Sequence, residues 1–272
     1  MGLEDVDVGK QELDILEEFE QKFKKLEGMG FIDSRRLHDT GIGKTAEDLL
    51  GIIENNKTAA DYKGVIELKS HRELSESMVT LFTKSPEPRG ANTIIRNFYG
   101  YPDKIFTDKM VLHVTFSGDK FNRSERGAYG FKFDINKGED KIFIQTKNMK
   151  SGEIEYVNVK NKQGQYVKVF YPLKKLRYII EHKCKFIILI GAERKKEDGK
   201  ELFHFNTAKL LSGLTYNKFI ELVAKGSINY DFRLGVYKSG NRIGKNHDHG
   251  SGFRFFTKDL NTIFKVTDLV DP

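Results

Sequence analysis

The stretch that most constrains the fold is Phe186-Ile-Ile-Leu-Ile190, five apolar residues in a row directly after Cys184 and Lys185. A run this short and rich in β-branched residues forms a strand covered on both faces, as in the middle of an α/β layer. Helices are expected on either side of it. One spans 172–181, with proline near its start; the other lies around 215–225. Together these elements complete a core begun by residues 40–85. At 272 residues the chain is long enough for that core, either as one large domain or as two lobes.

Charge and composition narrow the class. No run approaches the roughly 18 apolar residues of a membrane span. The opening Met-Gly-Leu-Glu-Asp-Val-Asp is acidic, without the basic and apolar regions of a signal peptide. A cytoplasmic protein with no membrane partner is expected. Cys184 is the only cysteine, so no intrachain disulfide framework exists, and its neighbours make it a buried thiol rather than a nucleophile. The net charge is +7, but residues 1–34 hold ten acids and four bases, so the remainder carries +13. A basic body behind an acidic start points towards a polyanion partner.

Residues 10–27 place Leu13, Leu16, Phe19, Phe23 and Leu26 at helical spacing, and Gly28 and Gly30 end the helix. In Asp39-Thr-Gly-Ile-Gly-Lys-Thr-Ala-Glu47, Gly43-Lys44-Thr45 invites a phosphate-loop reading. That motif needs glycine where His38 stands and an apolar strand before it, so an NTPase is rejected. The expectation is a glycine turn leading into a short helix from about Thr45. Glu47 in its first turn complements the helix dipole or faces the acids that follow.

Those acids lie in Asp61-Tyr-Lys-Gly-Val-Ile-Glu67-Leu-Lys69. Residues 64–70 read as a strand, so Glu67 and Lys69 share a face and Asp61 can fold back towards it. Two carboxylates can hold Mg2+, which takes oxygen ligands and keeps waters. A lysine beside them can orient or deprotonate water, or neutralise phosphate charge. The set suits phosphodiester hydrolysis; a solvated strand face would carry the same pattern by chance.

A second strand is expected over 78–85, halted before Pro86, with Lys84 near its end, beside the first strand if the two pair. Residues 86–110, including Arg89, read as loop, with Arg, Asn and aromatics interleaved as phosphate contact and base stacking require. Five strands are expected at 111–117, 129–135, 141–146, 153–159 and 166–170. Near the end, Asp231 and Arg233 share a strand face, a basic glycine-containing loop carries Lys245, and His247, His249 and Arg254 follow. Arginine pairs with guanine and aspartate accepts from cytosine N4, so this segment can face base edges. Two histidines without a second ligand pair do not make a zinc site.

Taken in order, Thr40-Gly-Ile-Gly-Lys-Thr-Ala-Glu47-Asp-Leu-Leu, Asp61…Glu67-Leu-Lys69, Thr80-Leu-Phe-Thr-Lys-Ser-Pro86, Pro88-Arg-Gly-Ala-Asn-Thr and Gly244-Lys-Asn-His-Asp-His-Gly-Ser-Gly-Phe-Arg254 resemble the MvaI/BcnI restriction endonucleases. These are MutH-like members of the PD-(D/E)xK superfamily. The resemblance implies an α/β (α+β) fold, with a nuclease sheet flanked by helices and a β-rich recognition lobe across a cleft. By chain order, 1–85 and 172–225 would form the catalytic lobe, and 86–171 and 226–272 the recognition lobe. It implies Asp61 and Glu67 as metal-binding acids, Lys69 as catalytic lysine and Glu47 as an additional acid. Asp231, Arg233 and Arg254 would contact bases, with His247, His249, Lys84, Arg89 and Lys245 near the DNA. Ala60 stands where the superfamily name has proline. The implied activity is Mg2+-dependent cleavage of double-stranded DNA by a monomer, one strand at a time, at a CCWGG-like site; the alternatives are a MutH-like strand-specific nicking endonuclease that needs a partner, or a DNA-binding module without catalysis. A cognate DNA methyltransferase is implied in the same system.

Overall fold

The computed structural model describes residues 8–36, 41–52, 59–72, 78–161 and 163–270. The chain is mixed α/β and forms two compact units: Met1–Val79, Tyr178–Tyr216 and Phe256–Pro272 in the first, Thr80–Arg177 and Asn217–Phe255 in the second. Among the described residues no helix is long and apolar enough to cross a membrane.

The first unit is built on the covered strand expected from the sequence. That strand is longer than the apolar run, Phe186–Glu197, and turns back into Lys200–Ser212 as its antiparallel partner. The reversal occurs at Asp198 and Gly199, both left-handed with φ 51° and 79°, the backbone that a two-residue hairpin turn demands. Ile66–Arg72 pairs parallel with Phe186–Glu197, placing Glu67 opposite Ile187 and Lys69 opposite Leu189. Ile32–Asp33 and Lys265–Val270 pair with Lys200–Ser212.

Two helices close this core. Lys10–Glu27 buries Leu16, Phe19, Phe23 and Leu26, the stripe its periodicity predicts. Phe19 meets the Tyr62 ring edge-on at 5.4 Å. The helix Gly41–Leu49 starts earlier than the expected Thr45, so both glycines lie inside it. Burying Ile42 and Ala46 in the core offsets the roughly 1 kcal/mol that a helical glycine costs. Residues 37–40, at the front of that stretch, lie outside the described residues.

The second unit has two main sheets. One runs Phe170–Pro172, Lys141–Asn148, Tyr129–Asn136, Asn122–Arg123, with Ile154–Tyr156 on Lys141–Asn148. The other runs Val79–Thr83, Gly252–Phe255, Asn229–Val236, Met110–Phe116, Tyr101–Pro102, with Asn246–Asp248 on Asn229–Val236. Phe131 and Phe133 of the first meet Phe116, Tyr230 and Phe232 of the second at ring separations of 4.7–6.0 Å. Alternation along each strand sends these rings inward and leaves Asp231 and Arg233 on the opposite face.

Several expectations are corrected here. The strand at 79–83 pairs with Gly252–Phe255, not with Ile66–Arg72. Its Phe82 packs against Phe253 at 5.0 Å. Residues 91–99 form a helix rather than loop, burying Ala91, Ile95 and Tyr99 at steps of four. The strands at 153–159 and 166–170 each break in two at a buried valine, where Val169 N–H donates to the Val157 carbonyl at 2.7 Å. Each chain there leaves one strand partner for another. The compact units also differ from the expected lobes at four segments. Residues 80–85, 172–177 and 217–225 belong with the second unit, and 256–272 with the first. Phe219 packs on Phe82 and Phe253, and Lys265–Val270 pairs with Lys200–Ser212.

Candidate active site and recognition face

In the first unit, a tight reversal delivers Asp61 to the strand that carries Glu67. Lys63 and Gly64 are left-handed, with φ 50° and 73°. Tyr62 N–H donates to the Ile66 carbonyl at 2.8 Å, and Ile66 N–H returns the bond at 3.1 Å. Doubled back in this way, Asp61 Oδ2 accepts from Leu68 N–H at 3.1 Å. The reversal is pinned to the first helix, where Glu18 accepts from the Tyr62 hydroxyl at 2.8 Å and from the Lys63 ammonium. Lys63, Tyr62 and Lys22 together hold the Glu18 carboxyl down at about 2. The acidic helix therefore anchors the turn as well as filling the core, a role its periodicity did not reveal.

Glu67 is 2% exposed. Its Oε1 accepts from Lys69 Nζ. Its Oε2 lies 3.4 Å from Lys183 Nζ but has no hydrogen-bond partner. Burial holds the Glu67 carboxyl above its ordinary range; Asp61 adds to the rise, while Lys69 and Lys183 oppose it. Lys183 went unread in the sequence. It precedes the Phe186–Glu197 strand, and only the parallel register of that strand with Ile66–Arg72 brings it to Glu67. The adjacent Cys184 is buried, and burial pushes its thiol up to about 12, so it is no nucleophile.

The residues present fit a hard divalent cation. Asp61 and Glu67 offer oxygen donors, and the buried, unpartnered Glu67 Oε2 is an acceptor that the protein leaves unused. Among the described residues no three His, Cys, Asp or Glu groups gather as a metal cage. Glu47, the expected additional acid, is half-buried on the helix Gly41–Leu49.

The second unit assembles the other expected residues on one sheet face. Asp231 pairs across the sheet with Thr115, and Arg233 with His113. Asp231 Oδ1 accepts from the Thr115 hydroxyl at 3.1 Å, and Oδ2 lies 3.4 Å from Arg254 Nε and 4.0 Å from Arg233 Nε. Burial raises the Asp231 carboxyl, and Arg254 is the main group opposing that rise. Arg254 is itself buried, whereas Arg233 is 43% exposed and extends outward. Asp248, a residue the sequence reading passed over, organises the loop beside them. Its Oδ1 accepts from Gly250 N–H, Ser251 N–H and the Ser251 hydroxyl, and its Oδ2 from Asn92. Ser251 Oγ then accepts from Arg233 N–H at 2.9 Å.

Lys84 belongs to this unit, not to the Asp61–Lys69 strand. Its N–H donates to the Ser251 carbonyl, and its own carbonyl accepts from the Tyr230 hydroxyl. Lys245 is exposed in the loop after Tyr237, and Arg89 is exposed just before the helix Ala91–Tyr99.

The family model for the MvaI/BcnI restriction endonuclease family matches residues 20–264. The chain belongs to this family. A solved complex of restriction endonuclease MvaI with cognate DNA substrate is 34% identical, covers 94% of this chain and 99% of that chain, and superposes with a TM-score of 0.81. Restriction endonuclease MvaI in the absence of DNA is 33% identical, covers 97% and 100% of the two chains, and gives 0.54. The comparison with curated proteins gave no match. As a member of the MvaI/BcnI family the chain is a type II site-specific nuclease. The mixed α/β fold expected from the resemblance is the one found.

Proposed function

We propose that Asp61 and Glu67 hold Mg2+ and that Lys69 prepares water for hydrolysis of double-stranded DNA. The observation that carries this reading is the buried Glu67 Oε2, an acceptor with no hydrogen-bond partner on the strand to which Asp61 folds back, in a chain of the restriction-endonuclease family. A bound Mg2+ would polarise the scissile phosphate and stabilise the charge that develops on it. Lys69, held against Glu67, orients the attacking water and donates to the phosphoryl oxygens. Water oxygen bonds to phosphorus, the bond to the 3′ oxygen breaks, and 5′-phosphate and 3′-hydroxyl ends result. Glu47 stands by as an additional acid.

The face with Asp231, Arg233 and Arg254 reads base edges in this scheme. The outward Arg233 suits a guanine, and Asp231 an amino donor. His247 and His249 lie beside them, and Lys84, Arg89 and Lys245 contribute phosphate contacts. The first unit is the catalytic lobe and the second the recognition lobe. The protein acts as a cytoplasmic monomer, one strand at a time, paired in its host with a methyltransferase that protects the same site.

Synthetic duplexes test the target. Incubated with Mg2+, a duplex containing CCWGG is expected to be cut through a nicked intermediate, with a CCSGG duplex left whole. Preferential cutting of CCSGG would reverse the assignment of the central pair. Cutting of neither duplex would remove the CCWGG target.

Lys183 gives a second test. Its ammonium favours ionised Glu67, so Lys183→Ala raises the Glu67 pKa further and moves the acid limb of the pH–rate profile to higher pH. The expected loss at neutral pH is about tenfold or more, the worth of one charge-assisted contact, and it narrows as pH rises. An unshifted limb would show that Lys183 does not act through Glu67.

A further inference from the structure

Gly235 lies two residues beyond Arg233 on the same strand, and therefore on the same face. Its missing side chain leaves a hollow, and two imidazoles reach into it from the flanking chain. A Cβ on Gly235 would stand 2.8 Å from His249 Nε2 and 3.5 Å from His113 Nε2. His113 is the cross-strand partner of Arg233, so it shares that face without any motif marking it in the sequence. The His113 and His249 rings are 6.5 Å apart, His249 is 4.0 Å from His247, and His247 stacks on Tyr237 at 3.9 Å. The result is a file of four rings across the recognition face.

Three observations give the file a use. His113 and His249 are exposed, so they are not core histidines. No protein group among the described residues hydrogen-bonds either ring. His113 also lines a cavity of ≈ 780 Å³ together with Asp103, Thr115, Arg123, Asp231 and Lys238. Partial desolvation against the sheet face and the neighbouring Arg233 hold the His113 imidazole below its ordinary pKa, against the opposing pull of Asp231. A neutral ring offers one N–H donor and one acceptor nitrogen, both unspent here. No three-ligand metal set exists among the described residues.

We propose that His113 is a further specificity-determining residue, reading a base edge next to the one Arg233 engages, with Gly235 making room for His249 beside it. This rests on the reading of the Asp231–Arg233 face as the DNA-recognition surface.

The test uses a pool of duplexes carrying every single base-pair change in the site that the wild-type enzyme cuts, as found by sequencing the ends it leaves. His113→Ala is expected to lower cognate cleavage about 10-fold to 100-fold and to relax discrimination at one base pair by a similar factor, with the other positions unchanged. Gly235→Ala, which drives a methyl group into the His249 ring, is expected to relax the same or the adjacent pair. His113→Asn with an unaltered melting temperature keeps the test independent of folding. A His113→Ala enzyme with wild-type ratios at every position overturns the inference alone, as does a uniform loss at all of them. A wild-type protein that cuts no duplex in Mg2+ overturns the nuclease reading and the inference with it.

Discussion

Replacing Glu67 with glutamine is expected to lower Mg2+-dependent DNA cleavage by about 10³-fold or more, the worth of several kcal/mol of metal-borne stabilisation. DNA binding should stay within a few-fold of wild type, because the Asp231–Arg233 face lies elsewhere in the chain. The same change should not lower thermal stability. Burial holds the folded Glu67 pKa above its unfolded value, so its ionised form costs stability at neutral pH, and that cost is relieved as pH falls. A neutral isostere removes the cost at every pH. Loss of activity with a melting temperature equal to or above wild type marks a site selected for chemistry rather than stability. A glutamine variant that melts several degrees lower would instead show Glu67 to be a structural ion-pair partner of Lys69 and Lys183.

Arg254→Ala is expected to produce the largest loss of stability. Arg254 and Asp231 have side chains only 10% and 17% exposed, and Arg254 is the leading group that keeps the buried Asp231 charge tolerable. Removing one partner of such a pair costs about 3–5 kcal/mol, because the other is left buried and uncompensated. The urea midpoint should fall accordingly. Asp231→Asn added to Arg254→Ala should recover part of the loss, since no charge then remains to be compensated. A double variant as unstable as the sum of the two singles would show that the pair is not coupled.

The proposed catalytic trio was legible because its geometry is local. Glu67 and Lys69 share a strand face by period alone, and the glycine at 64 permits the reversal that returns Asp61. The first helix and the covered strand were legible for the same reason. What escaped depends on register between distant strands. Lys183 meets Glu67 only through the parallel pairing of residues 66–72 with 186–192. His113 joins Arg233 only through the antiparallel pairing of 110–116 with 229–236. The strand at 200–212 was different, because Asp198-Gly199 is a hairpin signal that went unused. The helix at 91–99 was hidden by composition: its Arg, Asn and aromatic residues suit a nucleic-acid loop equally well, and only the spacing of Ala91, Ile95 and Tyr99 betrays it.

The most direct measurement incubates the pure protein with supercoiled plasmid, once in Mg2+ and once in EDTA, and sequences the ends formed. The expected result is a set of discrete ends sharing one short motif, carrying 5′-phosphate and 3′-hydroxyl groups, present in Mg2+ and absent in EDTA. Equal cleavage in EDTA, or DNA bound and left uncut in Mg2+, would contradict a metal-assisted hydrolysis carried by Asp61, Glu67 and Lys69.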